Sequence, residues 1–180
     1  MTTVTQISTA DQLWRANIQQ PCELVRGELR MMSLGGAEHG WIIANVAAPL
    51  ATFVKQNKLG YVFGAETGFI IARDPDSVRA PDVAFVRRDR IPAEIPKKFF
   101  PGPPDLAVEI LSPSNSASEI QEKTEDWLHS DCLEVWLIDP QRKTASICTL
   151  SGRGVQVDTV DTLSSNLLPG FTLKVAELFQ

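Results

Sequence analysis

A strand–helix–strand pattern occupies residues 105–139, whose sequence is DLAVEILSPSNSASEIQEKTEDWLHSDCLEVWLID. Apolar residues alternate at Leu106, Val108 and Ile110, which is typical of a β-strand. Residues 116–119 match a capping box, so we predict a helix over 117–129. Residues 133–138 form a near-continuous apolar run, as in a buried central strand. Two strands joined by a helix predict parallel pairing with a right-handed crossover.

Outward from this unit, the sequence predicts further strands and helices. Thr9 can cap a short helix that ends near residue 18, and residues 23–31 alternate around a turn at Arg26-Gly27, which indicates a hairpin. Apolar residues follow the helical period across 38–57, which predicts a long helix that Pro49 should kink or split. The remaining predicted elements are strands at 61–64, 67–72, 82–87, 144–150 and 154–160 and a short terminal helix from Val175.

Length and composition indicate one domain over residues 1–180, with residues 1–20 as an N-terminal helical extension. The chain has 180 residues, 43% hydrophobic and 22% charged, which excludes disordered and fibrous classes. No stretch approaches the ~18 apolar residues of a membrane span, and the first residues lack a signal-peptide pattern. We therefore expect a cytoplasmic protein with no membrane partner. The pattern predicts an α/β (α+β) fold, a mixed sheet with helices packed on it.

The cysteine and histidine content restricts the metals that the chain can bind. Three cysteines are scattered without a CxxC pair, and only two histidines occur. This argues against a disulfide framework and against a zinc cage. Any metal site must rely on carboxylates, which select hard ions such as Mg²⁺ or Mn²⁺. The common nucleotide-binding, zinc-protease and serine-hydrolase motifs are absent from the sequence.

Glu109 is the first candidate site residue, because it lies in the predicted strand with Ala107 and Leu111 on its face. A glutamate among apolar neighbours is costly to bury unless it is paired or bound to a metal. Asp105 shares that face but lies ~13 Å away along the strand, too far to share an ion. Asp82 could lie across from Glu109 on an adjacent strand. The alternative is a solvated glutamate, or one bonded to a nearby arginine.

Lys123 is the third candidate, at the edge of the inward-facing stripe of the predicted helix. Spacing alone favours a simpler interpretation, in which Lys123 and Glu119 form an i, i+4 surface pair worth ~0.3–0.5 kcal/mol. The segment 79–98 is locally basic although the chain carries a net charge of −5. It is either a surface for an anionic partner or a solvated loop with ordinary surface charges.

These residues resemble a known family. The segments RAPDVAFV at 79–86, DLAVEILSPS at 105–114 and LEVWLIDP at 133–140, with Lys123 between the last two, are similar to the Uma-two family. That family groups restriction-type endonucleases of the PD-(D/E)XK superfamily. The segment ELVRGEL at 23–29 and His39 at a helix start also match, so the resemblance covers roughly residues 21–179.

The resemblance implies a restriction-endonuclease-like core and metal-dependent hydrolysis of phosphodiester bonds in DNA. It implies that Asp82, Glu109 and the main-chain carbonyl of Ile110 hold Mg²⁺ or Mn²⁺. The lysine expected two residues after the glutamate is Leu111 here, and the resemblance moves its role to Lys123. By the same resemblance, Glu28, Glu66 and His39 are accessory candidates beside the acids. Because the net charge is −5, we expect the arginines that flank Asp82, namely Arg79, Arg87 and Arg88, to contact the substrate phosphates.

Two other functions remain open at this stage. The chain could be a catalytically silent nuclease-fold protein that acts as a nucleic-acid-binding or protein-interaction subunit, because fold does not imply function. It could also be a metal-dependent hydrolase of a smaller phosphoester. Two cuts in a duplex are most simply made by a two-fold pair of subunits, so we expect a homodimer.

Overall fold

The computed structural model describes residues 6–113, 115–151 and 154–180. Its α-helices are α1 (Ala10–Ala16), α2 (Ala37–Gln56) and α3 (Ala117–His129), and short 3₁₀ helices cover Arg88–Arg90 and Val175–Phe179. The strands are β1 (Cys22–Val25), β2 (Glu28–Met31), β3 (Gly60–Gly64), β4 (Phe69–Ala72), β5 (Ser77–Arg79), β6 (Val83–Arg87), β7 (Phe100–Pro101), β8 (Leu106–Ile110), β9 (Glu134–Asp139), β10 (Thr144–Ser151), β11 (Gly154–Val160), β12 (Thr162–Leu163) and β13 (Leu173–Lys174).

The main sheet has six strands in the order β11-β10-β9-β8-β6-β3. β8 pairs in parallel with β9, and α3 connects them. The pairings of β6 with β3 and β8, and of β10 with β9 and β11, are antiparallel. The predicted mixed sheet and the parallel strand–helix–strand unit are therefore confirmed. Ser116 caps α3, since its hydroxyl accepts from the Glu119 backbone N–H at 3.2 Å.

A second sheet, with the order β2-β1-β5-β4-β7, was not predicted. The hairpin β1–β2 was expected, but β5 has three residues and β7 two. Such segments are too short for an alternation of side chains to be recognised. Helix α1 packs on this sheet through a small cluster that includes Ala10, Leu13, Leu24 and Val78. A further pair, β12–β13, stands apart from both sheets.

Helix α2 is a single helix although Pro49 lies within it. Of the two effects expected of Pro49, a kink or a split, the split is therefore wrong. One face of α2 presents a fully buried stripe of Ile42, Val46, Leu50 and Val54. Burial of an aliphatic side chain contributes about 1.5–3 kcal/mol, so the stripe outweighs the cost of one interior proline. The terminal segment, predicted as a helix, is 3₁₀ rather than α.

The two faces of the main sheet bury different layers. Alternate residues Val83 and Phe85 of β6 belong to the core cluster that contains α2. Their neighbours Ala84 and Val86 belong to the cluster that contains Trp127 of α3 and Phe69 of β4. In β8, Ala107 likewise packs with the α3 cluster, so Glu109, two residues on, faces α3 and the second sheet. Among the residues described, no helix has both the length and the hydrophobicity to cross a bilayer.

Two glycines of β3 provide a matched test of this packing. A Cβ atom at Gly60 would lie 2.0 Å from the backbone oxygen of Val86, whereas one at Gly64 would meet nothing within 4 Å. We expect Gly60→Ala to lower the free energy of unfolding by about 1–3 kcal/mol, because the paired strand β6 must shift. Gly64→Ala should change it by less than about 1 kcal/mol. Chemical denaturation measures both, and equal effects would contradict the described register of β3 on β6.

Candidate active site

The structure brings Asp82 and Glu109 to neighbouring positions at one end of the main sheet. Val83 pairs with Val108 in the antiparallel ladder, so Asp82, one residue earlier, lies opposite Glu109. The Asp82 backbone N–H donates to the Val108 carbonyl at 3.1 Å. Its carboxylate oxygen Oδ2 accepts from the Ile110 N–H at 2.7 Å. The strand pairing thus fixes both the backbone and the side chain of Asp82.

Two side chains of α3 bind the carboxylate of Glu109. It is 8% exposed, and its Oε2 accepts from Lys123 Nζ at 2.9 Å while Oε1 accepts from Trp127 Nε1 at 2.8 Å. The two donors are four residues apart, so they lie on one face of the helix. Burial raises the pKa of Glu109 to about 7; the charge of Lys123 opposes this rise and that of Asp82 adds to it.

Lys123 lies between three oxygen atoms of the protein. Besides Glu109, its ammonium donates to the Ala80 carbonyl at 3.3 Å and lies 3.4 Å from Oε1 of Glu23. Burial alone would lower the pKa of Lys123, but the charges of Glu109 and Glu23 outweigh it and raise that pKa above its usual value. Lys123 does not form the surface pair with Glu119 that spacing alone favours. Its ammonium donates to Glu109 instead, and the Glu119 carboxylate accepts from the Ser116 backbone N–H at 2.8 Å.

Glu23 of β1 is an acid of this cluster that the sequence analysis missed. It is 4% exposed, and it accepts from the Ala80 N–H at 2.9 Å and from the Arg79 guanidinium at 2.8 Å. Burial would raise the pKa of Glu23, but Lys123 and Arg79 lower it below its usual value. A signal was present, since Glu23 stands between Cys22 and Leu24 in a predicted strand, as Glu109 stands between apolar neighbours.

His39, in the first turn of α2, reaches the cluster from the other face of the sheet. Its Nε2–H group donates to Oδ1 of Asp82 at 3.1 Å, and this hydrogen bond raises the pKa of His39 although burial opposes the shift. The other ring nitrogen, Nδ1, is buried and has no hydrogen-bond partner among the described residues. Asp82 is thereby oriented through both of its carboxylate oxygens, by His39 on one and Ile110 on the other.

The structure places the other accessory candidates apart from this cluster. Glu28 is exposed in β2 beside the hairpin turn, and Glu66 is exposed in the turn after β3. Neither contacts Asp82, Glu109 or Lys123 within the ranges that the structure describes. Glu28 pairs with Val25, so it lies next to the turn and two residues along the hairpin from Glu23.

The three arginines predicted to contact the substrate lie at different places in the structure. Arg79 is buried and bonded to Glu23 and Asp126, so its guanidinium is already occupied by protein carboxylates. Arg87 ends β6, five residues and therefore about 17 Å along the strand from Asp82. There it lies 3.0 Å from Asp105. Arg88 follows Arg87, in the first position of a 3₁₀ helix.

The carboxylates of Asp82 and Glu109 fit a hard divalent cation that takes only a few of its ligands from the protein. Asp82 and Glu109 each use one hydrogen bond per carboxylate oxygen, and an ionised carboxylate has about four acceptor sites. In the described part of the chain, no group of three or more His, Cys, Asp or Glu side chains is arranged to hold a metal. Mg²⁺ requires no such cage, because it commonly binds one or two carboxylates and keeps several waters.

Comparison with known proteins identifies relatives of the chain. A family model, Uma2, described as "Putative restriction endonuclease", matches residues 11–176. A crystal structure described as a "putative nuclease" of the DUF820 group, from Anabaena variabilis, is similar with a TM-score of 0.81 at 21% identity. The similarity covers 95% of this chain and 97% of that chain, and at this identity it shows the fold. The search of curated proteins returned no match.

The raised pKa of Glu109 predicts a specific pH dependence of stability. In the folded protein the pKa of Glu109 is about 7, whereas in the unfolded chain it has its ordinary value of 4.5. The folded state therefore binds more protons between these pH values, and stability falls as pH rises through this window. The loss attributable to Glu109 is on the order of 3 kcal/mol.

Denaturation of the wild type and of Glu109→Gln at pH 5 and pH 8 measures this loss in the metal-free protein. The variant should lack the Glu109 component and gain stability relative to the wild type as pH rises. Glu94→Gln removes a carboxylate from an exposed loop and serves as the control, with a pH profile like that of the wild type. A Glu109→Gln profile that runs parallel to the wild type would contradict the raised pKa.

Proposed function

The chain belongs to the Uma2 family, and we propose that it is a metal-dependent endonuclease that hydrolyses phosphodiester bonds in DNA. One observation carries this proposal above the others. Asp82 and Glu109 lie opposite each other on adjacent strands, and the ammonium of Lys123, which lies on a helix, is 2.9 Å from Glu109. Two acids can hold a divalent ion and a lysine can offset charge on the phosphate, so this residue set suits phosphodiester hydrolysis.

In this proposal, Asp82, Glu109 and the main-chain carbonyl of Ile110 hold Mg²⁺ or Mn²⁺. When bound, the ion supplies positive charge that offsets the negative charge building on the phosphate oxygens. The two carboxylates are oriented before any ligand arrives, Asp82 by His39 and the Ile110 N–H, and Glu109 by Trp127. Fixed carboxylates bring a smaller reorganisation cost than mobile ones.

Lys123 is the positive group that the chain itself contributes. Its compact ammonium has three donors, and it lies at the edge of the acid pair, where its side chain is 20% exposed. We propose that it stabilises the developing charge on the phosphate and helps to place the attacking water. His39 would act indirectly, because its contact is with Asp82.

A homodimer is part of the same proposal, because cleavage of both strands of a duplex is most simply achieved by two copies related by a two-fold axis. Sedimentation equilibrium would report the association state.

Cleavage of supercoiled plasmid DNA tests the proposed function. Wild-type protein should nick the plasmid in Mg²⁺ or Mn²⁺ and lose this activity in EDTA. Asp82→Asn, Glu109→Gln and Lys123→Met should each lower the rate by at least about 10²-fold, because each removes a charged group at the transition state. Lys97→Met, in an exposed loop, is the matched control and should retain the wild-type rate.

Other outcomes would point to the rival functions. A protein that binds oligonucleotides but cleaves neither DNA nor RNA in either metal would be a silent nuclease-fold subunit, and the proposal would be wrong. Preference for a small diester such as bis(p-nitrophenyl) phosphate, without competition by oligonucleotide, would indicate a hydrolase of smaller phosphoesters. Equal activity of all variants would show that a contaminating nuclease was measured.

A further inference from the structure

We propose that Glu23 is a positioning residue that holds the Lys123 ammonium against Glu109. The inference rests on the proposed function, and it starts from the surroundings of Lys123. Only one of the three oxygens around Nζ belongs to the acid pair, namely Oε2 of Glu109 at 2.9 Å. The other two are Oε1 of Glu23 and the carbonyl of Ala80, at 3.4 Å and 3.3 Å. Both come from two neighbouring interior strands of the second sheet, in β1 and directly after β5.

Glu23 is itself fixed by contacts that do not involve Lys123. Its Oε1 accepts from the Ala80 N–H at 2.9 Å, and its Oε2 accepts from Arg79 at 2.8 Å. Arg79 in turn donates from Nε to Asp126 at 3.1 Å. Asp126 lies three residues after Lys123 on α3, so the contacts form a closed ring from Lys123 through Glu23 and Arg79 back to the same helix. We call these four residues the charge ring.

The charge ring fixes the position of the Lys123 ammonium, which its own helix does not fix. A lysine two residues after Glu109 would project from the same strand as the glutamate, and the strand itself would position it. That position is Leu111 here, and the ammonium comes instead from a helix, on a stem with four rotatable carbons. Such a side chain loses considerable rotamer entropy when it is ordered. A second carboxylate and a carbonyl, both held by the second sheet, restrict it to one place.

Outside the charge ring, further ion pairs join the β1–β2 hairpin to α3. Arg26, at the hairpin turn, contacts Glu122 at 2.7 Å and Asp126 at 2.8 Å, and Arg30 contacts Glu122 at 2.8 Å. These pairs are partly exposed, so each contributes little by itself. They lie on α3 residues adjacent to Lys123 and orient the same helix toward β1 and β2. Glu23 differs from them because it is buried and touches Lys123 directly.

Glu23→Gln tests the role, and Asp105→Asn is its matched control. Asp105 is also a buried carboxylate, 1% exposed, and it is bound by two arginines, Arg87 at 3.0 Å and Arg90 at 3.1 Å. It precedes β8, whereas Glu109 lies near the other end of that strand. Glu23→Gln weakens the pairing of the buried Arg79, and Asp105→Asn weakens that of Arg87 and Arg90 with a buried carboxylate, so both should lower the melting temperature. Only Glu23→Gln removes a partner of Lys123.

The first measurement is the rate at which acetic anhydride acetylates Lys123 at a fixed pH, followed by mass spectrometry of the Lys123 peptide. We expect Glu23→Gln to raise this rate several-fold, because the ammonium loses a neighbour, and Asp105→Asn to leave it at the wild-type value. The second measurement is DNA cleavage. Glu23→Gln should lower kcat by at least about tenfold, and up to about 10²-fold, with KM unchanged, as expected when a reacting group is misplaced by about 1 Å.

The outcomes separate this inference from the proposed function. An unchanged acetylation rate in Glu23→Gln, or an equal rise in Asp105→Asn, overturns the positioning role. If wild-type protein cleaves no nucleic acid, the proposed function fails, and the acetylation result alone then decides whether Glu23 holds Lys123. Should Glu23→Gln not fold, Glu23→Asp keeps the charge for Arg79 and withdraws the carboxylate by one methylene. It should still raise the acetylation rate, and no rise would overturn the inference.

Discussion

The ion pair between Glu109 and Lys123 is the contact on which the candidate site depends, because it joins a buried strand to the helix that covers it. The pair lies where three carboxylates, Glu23, Asp82 and Glu109, approach one ammonium. Removing one partner of a buried ion pair costs about 3–5 kcal/mol, since the remaining charge loses its compensation. The site is therefore also a determinant of stability, and burial raises the pKa of Glu109 within it.

The acidic residues at the two ends of β8 differ in how many basic groups surround them. Asp105 precedes the strand, and its carboxylate is enclosed by Arg87 and Arg90 together with the Arg87 backbone N–H. Two guanidinium groups neutralise that single acid fully. At the other end, Glu109 pairs with Lys123 and Asp82 pairs with His39, which is charged only when protonated, so acidic charge is left in excess. An excess of this kind suits a divalent cation and is unfavourable without one, which is typical of functional rather than structural clusters.

The sequence predicted those parts of the molecule whose residues follow a long period or a local cap. The unit from β8 through α3 to β9 was predicted because side-chain alternation and the Ser116–Glu119 capping box act within a few residues. The placement of Asp82 beside Glu109 followed from strand adjacency, and the shift of the lysine role to Lys123 came only from family resemblance. The second sheet escaped prediction because β5 and β7 are too short to show a period. Glu23 escaped with it, since its partners Arg79 and Ala80 are more than fifty residues away.

The charge ring has a consequence for the motions available to α3. Apolar contacts alone let a helix slide or fray on a sheet at modest cost. Helix α3, in contrast, is also joined to β1 through Lys123 and Glu23, and to β5 through Asp126 and Arg79. Any local opening that lifts α3 from the sheet must break the contacts of Lys123 with Glu23 and of Arg79 with Asp126 at the same time. We therefore expect the β1–β2 hairpin and α3 to open together as one cooperative unit.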